Sequence, residues 1–176
     1  MLNIGRVTFS SCLNIDGIVL PTVKSARELG VLVAHDLSPS LHITSIVAGA
    51  HKRTAAIYRA FHSRNIDLLI RAYLTYVRPL IEHDLVIWSP YTVKDIELIE
   101  SVQRRFTKRL PDFNILPYAE RLKRLDLPSL KLRRLHADLI FCYKIVFSFT
   151  DLQVSELLET ATLSTITTSY SKTLFG

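Results

Sequence analysis

Apolar positions change their spacing along this 176-residue chain. Near its start, "LNIDGIVLPTV" sets Asp16-Gly17 between two apolar runs. Such a pair supplies the positive φ of a two-residue hairpin turn, so a β-hairpin is predicted. "ELGVLVA" then reads as one short buried strand. After it the period becomes helical. Ser38-Pro39 reads as an N-cap followed by proline at the first helical position. Ile43, Ile46, Val47, Ala50, Ile57, Tyr58 and Phe61 follow at three- and four-residue steps on one helix face. A second helix starts near Asp67, with Leu69, Ile70, Tyr73, Leu74, Val77 and Leu80 inward. Pro79 lacks a backbone donor and clashes with the preceding turn, so it kinks or ends that helix. A third helix sets Leu98, Ile99, Val102, Phe106 and Leu110 on one side and stops at Pro111. A fourth starts near Tyr118, breaks at Pro128 and resumes through "SLKLRRLHADLIFCYKIVF". The predicted fold is mainly α. A hairpin and strand edge occupies residues 1–36, a four- to five-helix bundle 37–147, and a loose tail 148–176, where twelve of 29 residues are Ser or Thr.

Charge adds a second pattern. The formal net charge is +6 with 48% hydrophobic residues, which suits a folded domain with a polyanionic partner. Residues 1–50 are neutral, with three cations and three acids. Residues 51–110 hold eleven cations against six acids, and 111–147 seven against four. The positive excess therefore lies wholly in the helical middle. The apolar run "LIFCYKIVFSF" is interrupted by Lys144 and falls short of the ~18 residues that span a bilayer. No membrane segment and no secretory signal are expected. Two cysteines, Cys12 and Cys142, offer neither a disulfide framework nor a metal spacing. An intracellular location, nucleus or cytoplasm, is expected.

Candidate chemistry is sparse. No Asp-Asp pair exists, and the nine aspartates are scattered over predicted helix starts and turns, where capping accounts for them. Six histidines form no H-x-x-x-H pair and are expected at the surface or at caps. Cys142 is expected to be a buried structural thiol; Trp88 with Tyr91 could stack on a base, but both are expected in the core. Neither a metal nor another cofactor is expected in this chain, and no catalytic residue is assigned.

Four stretches in series are more specific. "RELGVLVAHDLSPSLHI", "IRAYLTYVRPLIEHDLVIWSPY", "IELIESVQRRFTKRLP" and "YAERLKRLDLPSLKLRRLHADLIFCYKI" together resemble the C-terminal part of reverse transcriptases from non-LTR retrotransposons of the jockey and RTE kind. The resemblance spans roughly residues 13–147. It implies the end of a palm, a primer-grip hairpin and a helical thumb. The catalytic aspartates of the parent RNA-directed DNA polymerase, and the Mg²⁺ they hold, belong to fingers and palm that this stretch lacks. By itself the chain is expected not to polymerise. Leu29 and Gly30 match the primer-grip position. His83 and Asp84 depart from the family, which has an aromatic and a small residue there. Lys131 also departs, standing where an acid is usual.

The resemblance also gives the cations of "ELIESVQRRFTKRLP" a meaning. Taken alone, acids before cations suit a helix dipole, and Glu100–Arg104 is a favourable i,i+4 pair. Yet Arg104, Arg105, Lys108 and Arg109 exceed what one dipole needs, and like charges at i,i+4 repel. With the resemblance, these four become a thumb surface that grips the phosphates of an RNA/DNA template-primer. Lys52, Arg53, Arg59, Arg78, Arg121, Arg124, Arg133 and Arg134 extend it. The alternative is a non-catalytic helical protein-interaction module, or a degenerate retroelement remnant, with self-association through exposed apolar surface.

Overall fold

The computed structural model describes residues 2, 4, 14–16, 18–19, 21–62 and 64–150. Gly17, Cys12 and the Ser/Thr-rich tail from residue 151 lie outside that set. The chain divides into two units, Met1–Arg134 and Leu135–Gly176.

The first unit opens on two small antiparallel sheets. β1 (Asn14–Ile15) pairs with β2 (Ile18–Val19), with Ile15 opposite Ile18. Asp16 turns the chain at φ 50°, as its place beside Gly17 predicts. β3 (Ser25–Glu28) pairs with β4 (Val31–Ala34), Glu28 opposite Val31. "ELGVLVA" is therefore not one strand. Leu29 at φ 47° and Gly30 at φ 91° reverse the chain within it. Two successive positive φ values make a primed turn, whose twist suits a hairpin. A leucine in the left-handed region is uncommon, so the sequence gives no turn signal there.

Among the described residues, seven helices follow. They are α1 (Ser40–Ala60), α2 (Ile66–Tyr76), α3 (Arg78–Glu82), α4 (Leu85–Trp88), α5 (Val93–Lys108), α6 (Tyr118–Arg124) and α7 (Leu130–Val146). The mainly helical fold is as expected, and the second helix breaks beside Pro79 into α2 and α3. Pro79 sits in the first turn of α3, where its missing donor costs nothing. Asp84 at φ 52° then separates α3 from α4. α6 ends in a Schellman motif: Leu127 N–H reaches Leu122 O at 3.0 Å and Asp126 N–H reaches Lys123 O at 3.3 Å. Asp126 takes the left-handed position at φ 49°, usually a glycine's.

The core joins α1, α2, α3 and α5. Ile43, Val47, Ala50 and Ile57 of α1 meet Leu69 and Tyr73 of α2, Ile81 of α3, and Ile99, Val102 and Phe106 of α5. Tyr73 stacks on Phe106 with ring centroids 4.5 Å apart. A Cβ on Gly49 would stand 3.2 Å from Leu80 Cδ2, so the glycine lets α3 approach α1 closely.

α5 also buries a polar column: Asp95, Glu100, Gln103 and Thr107. Glu100 is 5% exposed. One of its oxygens accepts from the Tyr118 hydroxyl and from Leu130 N–H; the other accepts from Lys131 N–H at 3.1 Å. A carboxylate thus caps the first turn of α7, where backbone donors have no helical partner. Gln103 bridges the same region. Its amide nitrogen donates to Pro128 O at 3.0 Å and to the Tyr118 hydroxyl at 3.3 Å, and its oxygen lies 3.3 Å from the Tyr73 hydroxyl. Burial, then the bond to Glu100, hold the Tyr118 phenol well above its ordinary pKa.

The second unit contains the remainder of α7, which ends in another Schellman motif. Phe149 N–H bonds to Lys144 O at 2.8 Å and Ser148 N–H to Ile145 O at 3.1 Å, with Ser148 at φ 55°. Leu139, Ile140, Tyr143, Val146, Phe147 and Phe149 are exposed. Tyr143 packs on Phe147 at 4.4 Å between centroids.

Glu100→Gln tests the cap. The amide NH₂ cannot accept, so at least one donor loses its partner. Leaving a buried donor unsatisfied costs about 1–3 kcal/mol. The urea midpoint is expected to fall with an unchanged slope; an unchanged midpoint contradicts the role assigned to Glu100.

Candidate nucleic-acid interface

α5 places the basic residues because its N-terminus is firmly held. Thr92 caps it, accepting from Asp95 N–H at 3.2 Å. Asp95 in turn accepts from the hydroxyls of Thr92 and Ser40 at 2.8 and 2.7 Å. Ile99, Val102 and Phe106 are buried, which leaves Arg104, Arg105, Lys108 and Arg109 exposed at the C-terminal end.

The four cations do not act as one group. Arg104 turns toward α6. Its guanidinium lies 2.8 Å from Glu97 Oε2 and 5.3 Å from the Tyr118 ring centroid. The bond to Glu97 raises its pKa. The expected Glu100–Arg104 pair is absent, because Glu100 points inward to cap α7. Arg105 and Arg109 lean toward α1 instead. Arg109 sits over the Tyr58 ring at 4.5 Å, a cation–π distance. The Arg105 charge helps depress the pKa of His51, second to burial. Burial pushes the Tyr58 phenol up to about 12, opposed by Arg109; its hydroxyl donates to Phe106 O at 2.8 Å.

Beside this seam, the ends of α1 and α5 frame a cleft of about 700 Å³. Tyr58, His62, Arg64, Lys108, Arg109 and Asn114 are among its lining residues. Lys52 and Arg59 are exposed on α1. Among the described residues, Lys52, Arg59, Arg105, Lys108 and Arg109 have no carboxylate partner. Both helix C-termini carry partial negative charge here, which these cations exceed.

Other expected contact residues are engaged elsewhere. Arg53 donates to Tyr76 O at 2.8 Å, tying α1 to α2. Arg78 lies 3.8 Å from Glu82, and Arg124 3.0 Å from Glu120. Arg133, half-buried, forms a two-pronged bond with Glu82, its Nη2 at 2.9 Å. Two assignments need correction, because phosphate cannot reach a buried guanidinium. Arg121 is 4% exposed and donates to Arg104 O at 2.9 Å. Arg134 is buried.

Leu29 and Gly30 form the tip of the β3–β4 hairpin, where Leu29 is 92% exposed and Arg27 donates to Gly30 O at 3.3 Å. Trp88 is a core residue, its Nε1 donating to His83 O at 2.7 Å, whereas Tyr91, expected beside it in the core, is exposed beyond the end of α4. Cys142, expected to be buried, is exposed. His42, expected at the surface, is buried. Its place four residues before Ile46, on the apolar face of α1, was the available signal. Asp16, Asp84, Asp112 and Asp126 all occupy left-handed turn positions, more turn formers than caps.

The chain matches no family model, no curated protein and no solved structure. Among the described residues, no helix is long and apolar enough to cross a membrane. No group of three His, Cys, Asp or Glu side chains among them could hold a metal ion.

The seam makes an electrostatic prediction. His51 is expected to titrate below 6.5. Arg105→Gln should raise that midpoint only partway back, since burial is the larger cause. An NMR titration of the His51 ring protons checks this. No movement would mean that Arg105 does not face His51.

Proposed function

We propose that the chain is a thumb-like fragment of an RNA-directed DNA polymerase from a transposable element, and that it holds template-primer by its phosphates. The observation that carries this reading is the strip of exposed cations along α1 and α5: Lys52, Arg59, Arg105, Lys108 and Arg109. These lie on two helices packed side by side and lack carboxylate partners among the described residues. Such a surface suits a backbone, not base edges, because point charges along a rigid strip position a duplex without reading it. The ordered motifs shared with non-LTR reverse transcriptases supply the parent activity. In that reading polymerisation and its Mg²⁺ depend on fingers and palm supplied elsewhere, and the chain works inside the cell, in nucleus or cytoplasm. The primer-grip role of Leu29 and Gly30 fits an exposed hairpin tip.

A second reading has its own observation. The exposed apolar side of α7, from Leu139 to Val146, suits a protein-interaction module or self-association. The two differ in salt dependence, since phosphate binding weakens steeply with salt and apolar association does not.

Binding of an RNA–DNA hybrid to the full chain, measured over a salt series, separates them. Each phosphate contact contributes roughly 0.7–0.9 to the slope of log affinity against log salt. Changing Arg105, Lys108 and Arg109 to Gln should lower affinity and reduce that slope by about two to three units. Arg104→Gln should alter it less, because Glu97 already balances that charge. Helicity should persist, as glutamine is a good helix former. A slope indifferent to the triple change, with salt-resistant light scattering, would instead favour the interaction module.

A further inference from the structure

The β3–β4 hairpin is joined to the helices through an unusual bond. Leu32 N–H donates to Nδ1 of His42 at 3.1 Å. In the ladder Leu32 lies opposite Arg27, and its N–H points away from β3. His42 therefore covers a donor on the outer edge of a two-stranded sheet, where an uncovered donor invites pairing with another strand. On its other side the imidazole packs edge-on against Trp88, with ring centroids 5.0 Å apart. His42 itself is 4% exposed.

This bond fixes the proton. Nδ1 must carry a lone pair, so the ring is neutral with its hydrogen on Nε2. A proton added to Nδ1 would set two N–H donors against each other and leave a buried cation. The charged and titratable groups around the ring are Arg27 from β3, and His83 and Asp84 from the turn between α3 and α4. α4 contributes the uncharged Trp88, and Asp95 of α5 reaches α1 at Ser40. Only Asp84 favours an imidazolium.

We infer that His42 is a proton-sensitive latch, which holds the β3–β4 hairpin on the helical core when neutral and releases it when protonated. Release would uncover the edge of β4 and the buried face of Val31. It would also detach the exposed tip at Leu29 and Gly30. The latch stands on the hydrogen bond and the burial, and it does not depend on nucleic-acid binding.

The direction of the pH effect follows. Burial first, then Arg27 and His83, lower the pKa of His42 from 6.5. The open state therefore binds more protons than the closed one. The latch is at full strength above 6.5, weakens as pH falls toward the depressed value, and levels off below it. Within that window the opening constant should rise by up to about tenfold per pH unit, the limit for one proton.

Amide hydrogen exchange of the full chain, corrected for intrinsic rate, tests this between pH 8 and 5. The protection of Leu32 is expected to fall with the one-proton slope. Emission from Trp88, the sole tryptophan, should fall with it, since imidazolium quenches indole. His42→Gln keeps an acceptor oxygen and should give a pH-independent hairpin, whereas His83→Gln should retain the step. A flat wild-type profile, or the same step in His42→Gln, overturns the proposal. Should His42→Gln fail to fold, ¹⁵N shifts of the wild-type ring decide. An unprotonated Nδ1 at pH 8 that gains a proton as Leu32 loses protection supports the latch. An Nδ1 that carries the proton throughout refutes it.

Discussion

One buried carboxylate determines how the C-terminal third of the first unit joins the rest. Glu100 projects from the middle of α5 and takes up Leu130 N–H, Lys131 N–H and the Tyr118 hydroxyl. Those donors come from α6, which has no side-chain cap of its own, and from the start of α7, where Ser129 Oγ takes up only Leu132 N–H at 3.2 Å. Gln103, one turn along, accepts and donates toward Tyr73, Tyr118 and Pro128. The result is a directional joint. Apolar packing by Phe106 and Tyr73 would tolerate some sliding, but a carboxylate satisfied by three donors admits one register. Arg133 gripping Glu82 repeats the device between α7 and α3.

This joint also explains why the cations of α5 divide. With Glu100 turned inward, Arg104 finds Glu97 two turns back, and its carbonyl accepts from buried Arg121. Arg105 and Arg109 lie on the opposite flank, against His51 and Tyr58. The candidate binding strip is what remains after α6 has claimed one side of the helix.

Much of this was legible in the sequence, and the failures share a cause. The apolar stripes of α1 and α5 and the breaks at Pro79, Pro111 and Pro128 follow from period and from proline's missing donor. Polar residues inside the core do not announce themselves. Asp95, Glu100, Gln103 and Thr107 look like a solvated face until their partners, up to 55 residues away, are brought near. Arg121 and Arg134 read the same as Lys52 or Arg59, because composition carries no burial. The Leu29–Gly30 reversal was hidden by a leucine where turns normally hold asparagine or glycine. His42 sat on an apolar face and looked incidental.

The crowding around α5 has an evolutionary consequence. Core residues occupy one side, the Glu100–Gln103 joint another, and the α1 seam a third. Substitutions at most positions must therefore disturb a neighbour on another helix. Lys94, Glu97, Arg105 and Lys108 are exposed and stand clear of the joint. Drift can rewrite the charge of this strip, even reverse its sign, while the bundle beneath keeps its register. The scaffold and its surface chemistry can thus be inherited separately, and loss of one need not bring loss of the other.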